Sequence, residues 1–373
     1  MMKILHTGDL HLGREYKTVD SSVADFYRQA RLDALENIIQ IAGNEDCDYI
    51  VIAGDLFDSH NAPASLISTV CEALNKFPCP VLILPGNHDY CQKDDKLWAR
   101  VKSTVDDTKI KILDQCGAYS IGDVIFYACP CNDRYSDHNQ LAWLKDNQTR
   151  DPKKLNIGIA HGAIEGLSFD NAGKYYFMEI RELEGLGMDL WLIGHTHIPY
   201  PAHDTVRGQR IFNAGTHQQT DISDSSEGSV FVIDIDDNKN ITARRIRTGT
   251  INFIRKELIL VHGKSLQESL EEIVNSLVDP KHTTLRLIIS GIAPAEEYTN
   301  RAKIYDSISK NVLFFDPKDF DLQPEFTAEM IDIETAEGTP ENALLKGYLK
   351  NPELLNLAMD LVRSCKEESK NEN

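Results

Sequence analysis

Lys3-Ile4-Leu5-His6-Thr7-Gly8-Asp9-Leu10-His11 is a short apolar run that stops on a polar loop, and the same grammar recurs four times by residue 197. The later runs are Tyr49-Ile50-Val51-Ile52-Ala53, Val81-Leu82-Ile83-Leu84, Asn156-Ile157-Gly158-Ile159-Ala160 and Leu190-Trp191-Leu192-Ile193. Each is short and apolar on consecutive positions, the pattern of a strand buried on both faces. Between them, Val23 to Ile41 carries Phe26, Leu32, Leu35, Ile38 and Ile39 at helical spacing, and Ser65 to Leu74 is similar. Such segments suit helices laid on a sheet, and the repeated strand-loop-helix unit predicts an α/β domain. Ala118 to Ala128 and Arg210 to Arg247 read as further strands, with Asp236-Asp237-Asn238 at a turn, and are expected to make a second sheet.

Each run ends in residues that carry chemistry. In order these are Asp9-Leu10-His11, Gly54-Asp55-Leu56-Phe57-Asp58, Gly86-Asn87-His88-Asp89, His161-Gly162 and Gly194-His195-Thr196-His197. In an open α/β sheet the loops at the carboxyl ends of the strands converge to form a site. Imidazole and carboxylate oxygen without thiolate suit manganese, iron or zinc and disfavour a calcium site built of oxygen alone. Residues two apart on an extended segment point the same way, so both polar side chains of Asp9-Leu10-His11 or His195-Thr196-His197 can reach one ion. A carboxylate with both oxygens free can bridge two ions, and Asp55, following Gly54 at a strand end, is the natural bridge. Taken singly these clusters are weak signals; five in order, each closing an apolar run, are strong.

Composition bounds the rest. The 373 residues exceed one ordinary domain, and 42% apolar content with ordinary Gly and Pro places the chain among globular proteins. No apolar run approaches the roughly 18 residues of a membrane span. Met1-Met2-Lys3-Ile4-Leu5 reaches a polar motif by Asp9, leaving no room for a signal peptide, so a cytoplasmic location without membrane association is expected. The eight cysteines form no CxxC pair and read as reduced structural thiols. A formal charge of -19 argues against nonspecific nucleic-acid binding through a basic surface. Residues 316–373, with 14 acidic and 6 basic side chains, supply much of that excess.

The pattern changes near Thr248 to Glu257. From there it reads strand (Leu258 to Val261), helix (Leu266 to Leu277), strand (Thr284 to Ser290), helix (Tyr298 to Ser309) and strand (Val312 to Phe315). Residues 1–250 are therefore expected to form the catalytic domain, 251–330 a smaller α/β domain, and 331–373 a helical segment. Thr339-Pro340-Glu341 is a helix entrance, Asn351-Pro352 a break, and Lys366 onward a frayed end. The helical segment either packs on its own domain or offers a docking surface to a partner.

The series D-x-H, GDxxD, GNHD, H and GHxH resembles the signature of the calcineurin-like metallophosphoesterase superfamily. That resemblance implies a four-layer α-β-β-α sandwich, with the 251–330 segment as a capping domain. It implies that Asp9, His11, Asp55 and His197 hold one divalent ion while Asp55, Asn87, His161 and His195 hold a second. His88 is left free of metal to stabilise or protonate the leaving oxygen, and Asp58 resembles the carboxylate that orients it. Asp89 and His6 are expected to be structural. His60 could border the substrate cleft, and Tyr16 and Tyr90 could stack on a base or simply pack.

Lys3 to Gly13, Val51 to Asp58 with Pro63 beyond it, and Leu84 to Asp89 look more narrowly like the double-strand-break-repair nuclease branch, the bacterial SbcD-like exonucleases. This implies a manganese-dependent exonuclease and endonuclease acting on DNA ends, with an SbcC-like ATPase as partner, and it allows a homodimer. The alternative is a phosphomonoesterase or phosphodiesterase of the same superfamily acting on nucleotides, other small molecules or phosphoproteins. Two departures stand out: Ile211 to His217 replaces the family's usual Pro-Gly segment, and many members of the branch carry histidine where this chain has Asp58. The basic residues Arg244, Arg245, Arg247, Arg255, Lys256, Lys264 and Arg286 could line a groove or be ordinary solvated surface.

Overall fold

Strand β1 (Met2–Thr7) is followed by α1 (Ser21–Asn44), β2 (Tyr49–Ala53), α2 (Ala64–Leu74), β3 (Val81–Leu84), α3 (Lys96–Thr104) and β4 (Ile110–Ile112). Next come β5 (Gly117–Ile121), β6 (Val124–Cys129), α4 (Ala142–Asp146), β7 (Leu155–His161), α5 (Ile180–Gly185) and β8 (Leu190–Gly194). The strands β9 (Thr205–Arg207), β10 (Ile211–Asn213), β11 (Ser229–Ile235) and β12 (Ile241–Arg247) complete this part. The computed structural model describes residues 1–93, 95–146, 150–167, 173–223 and 226–371.

Seven strands pair in the order β4-β3-β2-β1-β11-β12-β9, and five in the order β10-β8-β7-β6-β5. Within the first sheet β1 to β4 are parallel, and β1 pairs antiparallel with β11. In the second, β10, β8, β7 and β6 are parallel and β5 is antiparallel to β6. Strand periodicity sorts the side chains into layers. Leu5, Ile50, Ile52, Val81 and Ile83 pack under α1, α2 and α3 with Leu35, Ile38, Val70 and Trp98. Their neighbours Ile4, Val51, Ala53, Leu82 and Leu84 face the other way and meet Phe126, Ile157, Ile159, Leu190 and Leu192 of the second sheet. Trp191 and Ile193 point outward again, onto Leu141, Leu144 and Leu183 beside α4 and α5. The result is the α-β-β-α stack.

The partition of strands differs from the sequence expectation. The Arg210 to Arg247 region is shared, β10 joining β8 while β11 and β12 extend the sheet of β1. The five site-bearing strands are likewise split, three in one sheet and two in the other. Helix α1 turns most of the expected stripe inward, with Leu35 and Ile38 buried and Leu32 and Ile39 packed against the core; Phe26 is exposed instead, and the buried face is completed by Ala24, Tyr27, Ala30, Arg31, Ala34 and Ala42.

The chain divides into two compact units, Met1–Asn252 and Phe253–Asn373. The second contains β13 (Asn252–Leu260), α6 (Leu266–Asn275), β14 (Thr283–Ala293), α7 (Ala295–Ser309) and β15 (Phe314–Pro324), then α8 (Ala328–Glu334), α9 (Pro340–Gly347) and α10 (Pro352–Asn371). Its three strands pair in sequence order over a core of Leu260, Leu266, Leu270, Leu285, Leu287, Ile289 and Phe315. Ser265, Thr327 and Thr339 cap α6, α8 and α9 through their hydroxyls. Helix α10 continues to Asn371, past the Lys366 at which fraying was expected. Among the described residues no helix is long and apolar enough to cross a membrane.

Candidate metal centre

The parallel pairing of β1 with β2 continues into the loops beyond them. Asp9 N donates to Gly54 O (3.1 Å), His11 N to Asp55 O (2.9 Å) and Leu12 N to Leu56 O (3.0 Å), so the first two loops run side by side. To turn off their strands, Asp9, His11, Asp55 and His195 adopt positive φ values of 51°, 43°, 52° and 106°. For non-glycine residues this backbone costs on the order of 1–3 kcal/mol each and persists only where the surroundings enforce it. Two glycines permit the approach of the strand ends. A Cβ on Gly54 would stand 2.0 Å from His161 Nδ1, and one on Gly194 would stand 2.0 Å from Ala53 O.

Every expected ligand residue is brought to this edge. His11 Nε2 lies 3.0 Å from His197 Nε2. Asn87 Oδ1 lies 3.0 Å from both His161 Nε2 and His195 Nδ1. Asp55 stands between these groups: its Oδ2 is 3.6 Å from His11 Nε2 and 3.4 Å from His161 Nε2, while its Oδ1 accepts the His88 amide at 2.8 Å. The Asp9 carboxylate accepts the His195 amide on both oxygens, at 3.0 and 2.8 Å. His161 Nδ1 is 2.8 Å from Ala53 O, which fixes its proton there and turns the Nε2 lone pair inward. Donor atoms of Asp9, His11 and His197, and those of Asp9, Asp55 and His161, lie close enough together to surround a cation.

The electrostatics fit such ions. Burial raises Asp9 to about 8, partly offset by His161. At Asp55 burial is outweighed by the charge and hydrogen bond of His161 and the charge of His11, which hold the carboxyl far below its usual range. The same partnership, opposing burial, lifts His161 to about 9. Burial and His161 push His195 down to about 3, and burial lowers His11 and His197. Buried carboxylates and imidazoles with opposed shifts compete for protons, and a divalent cation satisfies the same lone pairs without them.

His88 Nδ1 is 3.0 Å from a carbonyl of Asp58, but this carbonyl belongs to the main chain. The Asp58 carboxylate instead lies 3.2 Å from His11 Nδ1 and 3.8 Å from Arg14. The expected carboxylate-to-His88 contact is thus replaced by a backbone one, because Asp58 directs its side chain to His11. Asp89 is structural: buried, it accepts the amides of Gly86 (2.7 Å) and Phe57 (3.0 Å), tying two loops together. His6 is buried with Nε2 3.1 Å from Ile193 O. Tyr16 packs edge-on against Tyr27, and Tyr90 stacks on His60 with centroids 5.0 Å apart. Several expected groove cations are ion-paired, Arg244 to Glu45, Arg245 to Asp204, Arg247 to Glu227, Arg255 to Glu257 and Arg286 to Asp316.

Sequence reasoning missed three groups behind the expected ligands. Thr220 Oγ1 is 3.3 Å from His197 Nδ1, Thr216 Oγ1 donates to Asp9 O at 3.0 Å, and Arg31 is buried against the Asp9 loop. For Arg31 a signal existed: it falls on the stripe of Ala24, Tyr27, Ala34, Leu35 and Ile38.

Residues 2–199, more than half of the chain, match the family described as calcineurin-like phosphoesterase. The chain is 23% identical over 328 residues to the DNA double-strand break repair protein Mre11 of Saccharolobus solfataricus, covering 82% of each. It is 23% identical over 303 residues to the SbcD component of the nuclease SbcCD of Staphylococcus saprophyticus, covering 72% of this chain and 75% of that one. With the SbcD component of the nuclease SbcCD of Bacillus subtilis it shares 38% identity over 92 residues, 24% of this chain and 22% of that one. A cage of carboxylate, amide and imidazole donors at the strand ends, within a sequence that matches along those same strands, makes this chain a member of the calcineurin-like phosphoesterase family and a metal-dependent phosphoesterase.

Proposed function

We propose that the protein is a DNA nuclease of the Mre11 and SbcD kind that uses two divalent cations, manganese in the first instance. The observation that carries the two-cation reading is the position of Asp55, one of whose oxygens lies within 3.6 Å of imidazoles on both sides. Asp9, His11, Asp55 and His197 would hold one ion, and Asp55, Asn87, His161 and His195 the other. When bound, the ions supply Lewis acidity to the phosphoryl oxygens and lower the pKa of an attacking water. The choice of DNA is supported by the names of the relatives that align along most of this chain.

The chain's own residues then position and protonate. The amide of His88 fixes Oδ1 of Asp55, which holds in place the carboxylate that would serve both ions. The main-chain carbonyl of Asp58 holds the Nδ1 proton of His88, so in the imidazolium form it is the Nε2 proton that can pass to the leaving oxygen. The Asp58 carboxylate orients His11, as partners of metal-bound imidazoles do. In the same reading an SbcC-like ATPase binds the C-terminal helices. Leu354, Leu357 and Leu361 of α10 are exposed at 46, 58 and 60% along one face, which suits a helix-in-groove contact.

The test is purified protein with manganese on single- and double-stranded DNA, alone and with the ATPase. Cleavage independent of sequence and abolished by chelation is expected, because ions and backbone contacts read no bases. Intact DNA together with turnover of nucleotides or phosphopeptides would assign the centre to a small-molecule or phosphoprotein substrate.

A further inference from the structure

Arg31 lies in the middle of α1, is 1% exposed, and spends its guanidinium on oxygens that carry no charge. Nε donates to Leu10 O at 2.8 Å. Nη1 reaches Gln218 O at 3.3 Å, and Nη2 reaches Asp9 O and Thr216 Oγ1, each at 3.4 Å. The Thr216 hydroxyl, with one proton to give, lies 3.0 Å from Asp9 O and 2.9 Å from Gln218 O. His217 Nε2 closes the circuit on the carbonyl of Arg31 itself, at 2.9 Å. The cluster therefore grips the Asp9-Leu10-His11 turn from behind, on its carbonyl side, and ties it to residues 216–218.

Among the described residues no carboxylate pairs with this buried guanidinium, a costly way to fill space, and an apolar side chain of similar volume would fill the same room at lower cost. Nor does its charge favour cations nearby. What the group offers is geometry: a planar fork whose donors are aimed in fixed directions. The turn it grips contains two non-glycine residues with left-handed backbone, Asp9 and His11, which extended strand pairing alone does not enforce. None of the four oxygens it binds belongs to Asn87, His161 or His195.

We propose that Arg31 is a positioning residue for one cation only, the one assigned to Asp9, His11 and His197, and that it acts by holding their turn in its left-handed form. The proposal rests on the two-cation reading of the centre. It gives the Ile211 to His217 departure from the family pattern a function, since Thr216, with Gln218 just beyond that stretch, is the far side of the clamp.

The experiment is a manganese titration of the full chain after chelation, with bound ion counted by equilibrium dialysis and by the electron paramagnetic resonance of the free ion. The unsubstituted chain is expected to take up two equivalents. Arg31→Gln should weaken one of them by roughly 10–100-fold, as loss of outer partners of metal ligands does, and leave the other unchanged. Arg31→Lys, which retains a donor, should fall between. Two unchanged equivalents, or equal weakening of both, overturn the proposal. If Arg31→Gln does not fold, Thr216→Val, which removes only the hydroxyl, should give a smaller loss confined to one equivalent; unchanged or symmetric binding there overturns it equally. An unsubstituted chain that binds two ions but spares DNA removes the nuclease reading alone, whereas fewer than two equivalents removes the two-cation reading and this proposal with it.

Discussion

Among the described residues, seven non-glycine residues of the Met1–Asn252 unit have positive φ, Asp9, His11, Asp46, Asp55, Tyr176, His195 and Lys239, and the Phe253–Asn373 unit has none. Four of the seven are expected metal ligands, so the strain gathers where the chemistry is. Buried polarity divides the same way. The first unit hides Asp9, His11, Arg31, Asp55, Asp89 and His161, whereas the described buried polar residues of the second are Thr283, Thr284, Thr335, Asn342 and Asn356. In that unit Ser265, Thr327, Thr339 and Asn342 satisfy helix caps and turns, and the core is aliphatic. One unit gives up stability to hold charge in a fixed arrangement; the other has local propensity, pattern and packing in agreement, as an unstrained scaffold does.

That contrast can be broken most sharply at Asp55. Asp55→Asn should lower kcat/KM for a small phosphodiester by about 10³-fold or more and lose bound manganese, while the far-UV circular dichroism stays as it was. His88→Asn should lower kcat by roughly 10²–10⁴-fold with metal content intact; normal turnover would remove His88 from the reaction. In the other unit Leu287→Ala, at a fully buried position, should cost roughly 2–5 kcal/mol in denaturant unfolding without altering manganese uptake. Tryptophan fluorescence separates the two, since Trp98, Trp143 and Trp191 all lie in the first unit.

The smallest effect concerns pH. Asp9, raised to about 8, and His161, raised to about 9, bind protons more tightly in the cation-free fold than in the unfolded chain. Their contribution is complete below their unfolded values and is lost as pH climbs through 8 and 9. His6 and His195, lowered to about 4 and 3, act in the opposite sense, but only below about 6.5. Between pH 7 and 9 the chelated protein should therefore lose on the order of 3 kcal/mol, seen as a falling Tm by tryptophan fluorescence. Saturating manganese should flatten that curve, and a chelated Tm that holds level would contradict the burial of Asp9 and the partnership of His161 with Asp55 described above.

Much of this was legible in the sequence, for physical reasons. Tyr49 to Ala53 and Val81 to Leu84 are strands with the expected ends, because a run apolar on both faces has one stable fate in an α/β fold. The expected ligand residues met because strand ends bring them together whichever sheet they belong to. The sheets themselves were assigned wrongly: nothing within Ser229–Ile235 states that it will lie beside β1 rather than β8, and that choice is made by partners more than 200 positions away. The contacts of Asp58 eluded the motif, which specifies a residue type but does not distinguish its carboxylate from its carbonyl. Arg31 was overlooked because a charged residue in a helix is ordinarily solvated, and its burial depends on a loop at residues 216–218.

Gly54 and Gly194 carry a last implication. With 2.0 Å between a hypothetical methyl and the opposite backbone or ring, the two sheets touch at this rim with no padding, so neither layer can slide by even a fraction of a residue. The reactive groups thus borrow their accuracy from the thickness of the sandwich, and a remote change that swelled its interior would be felt at the rim as misalignment.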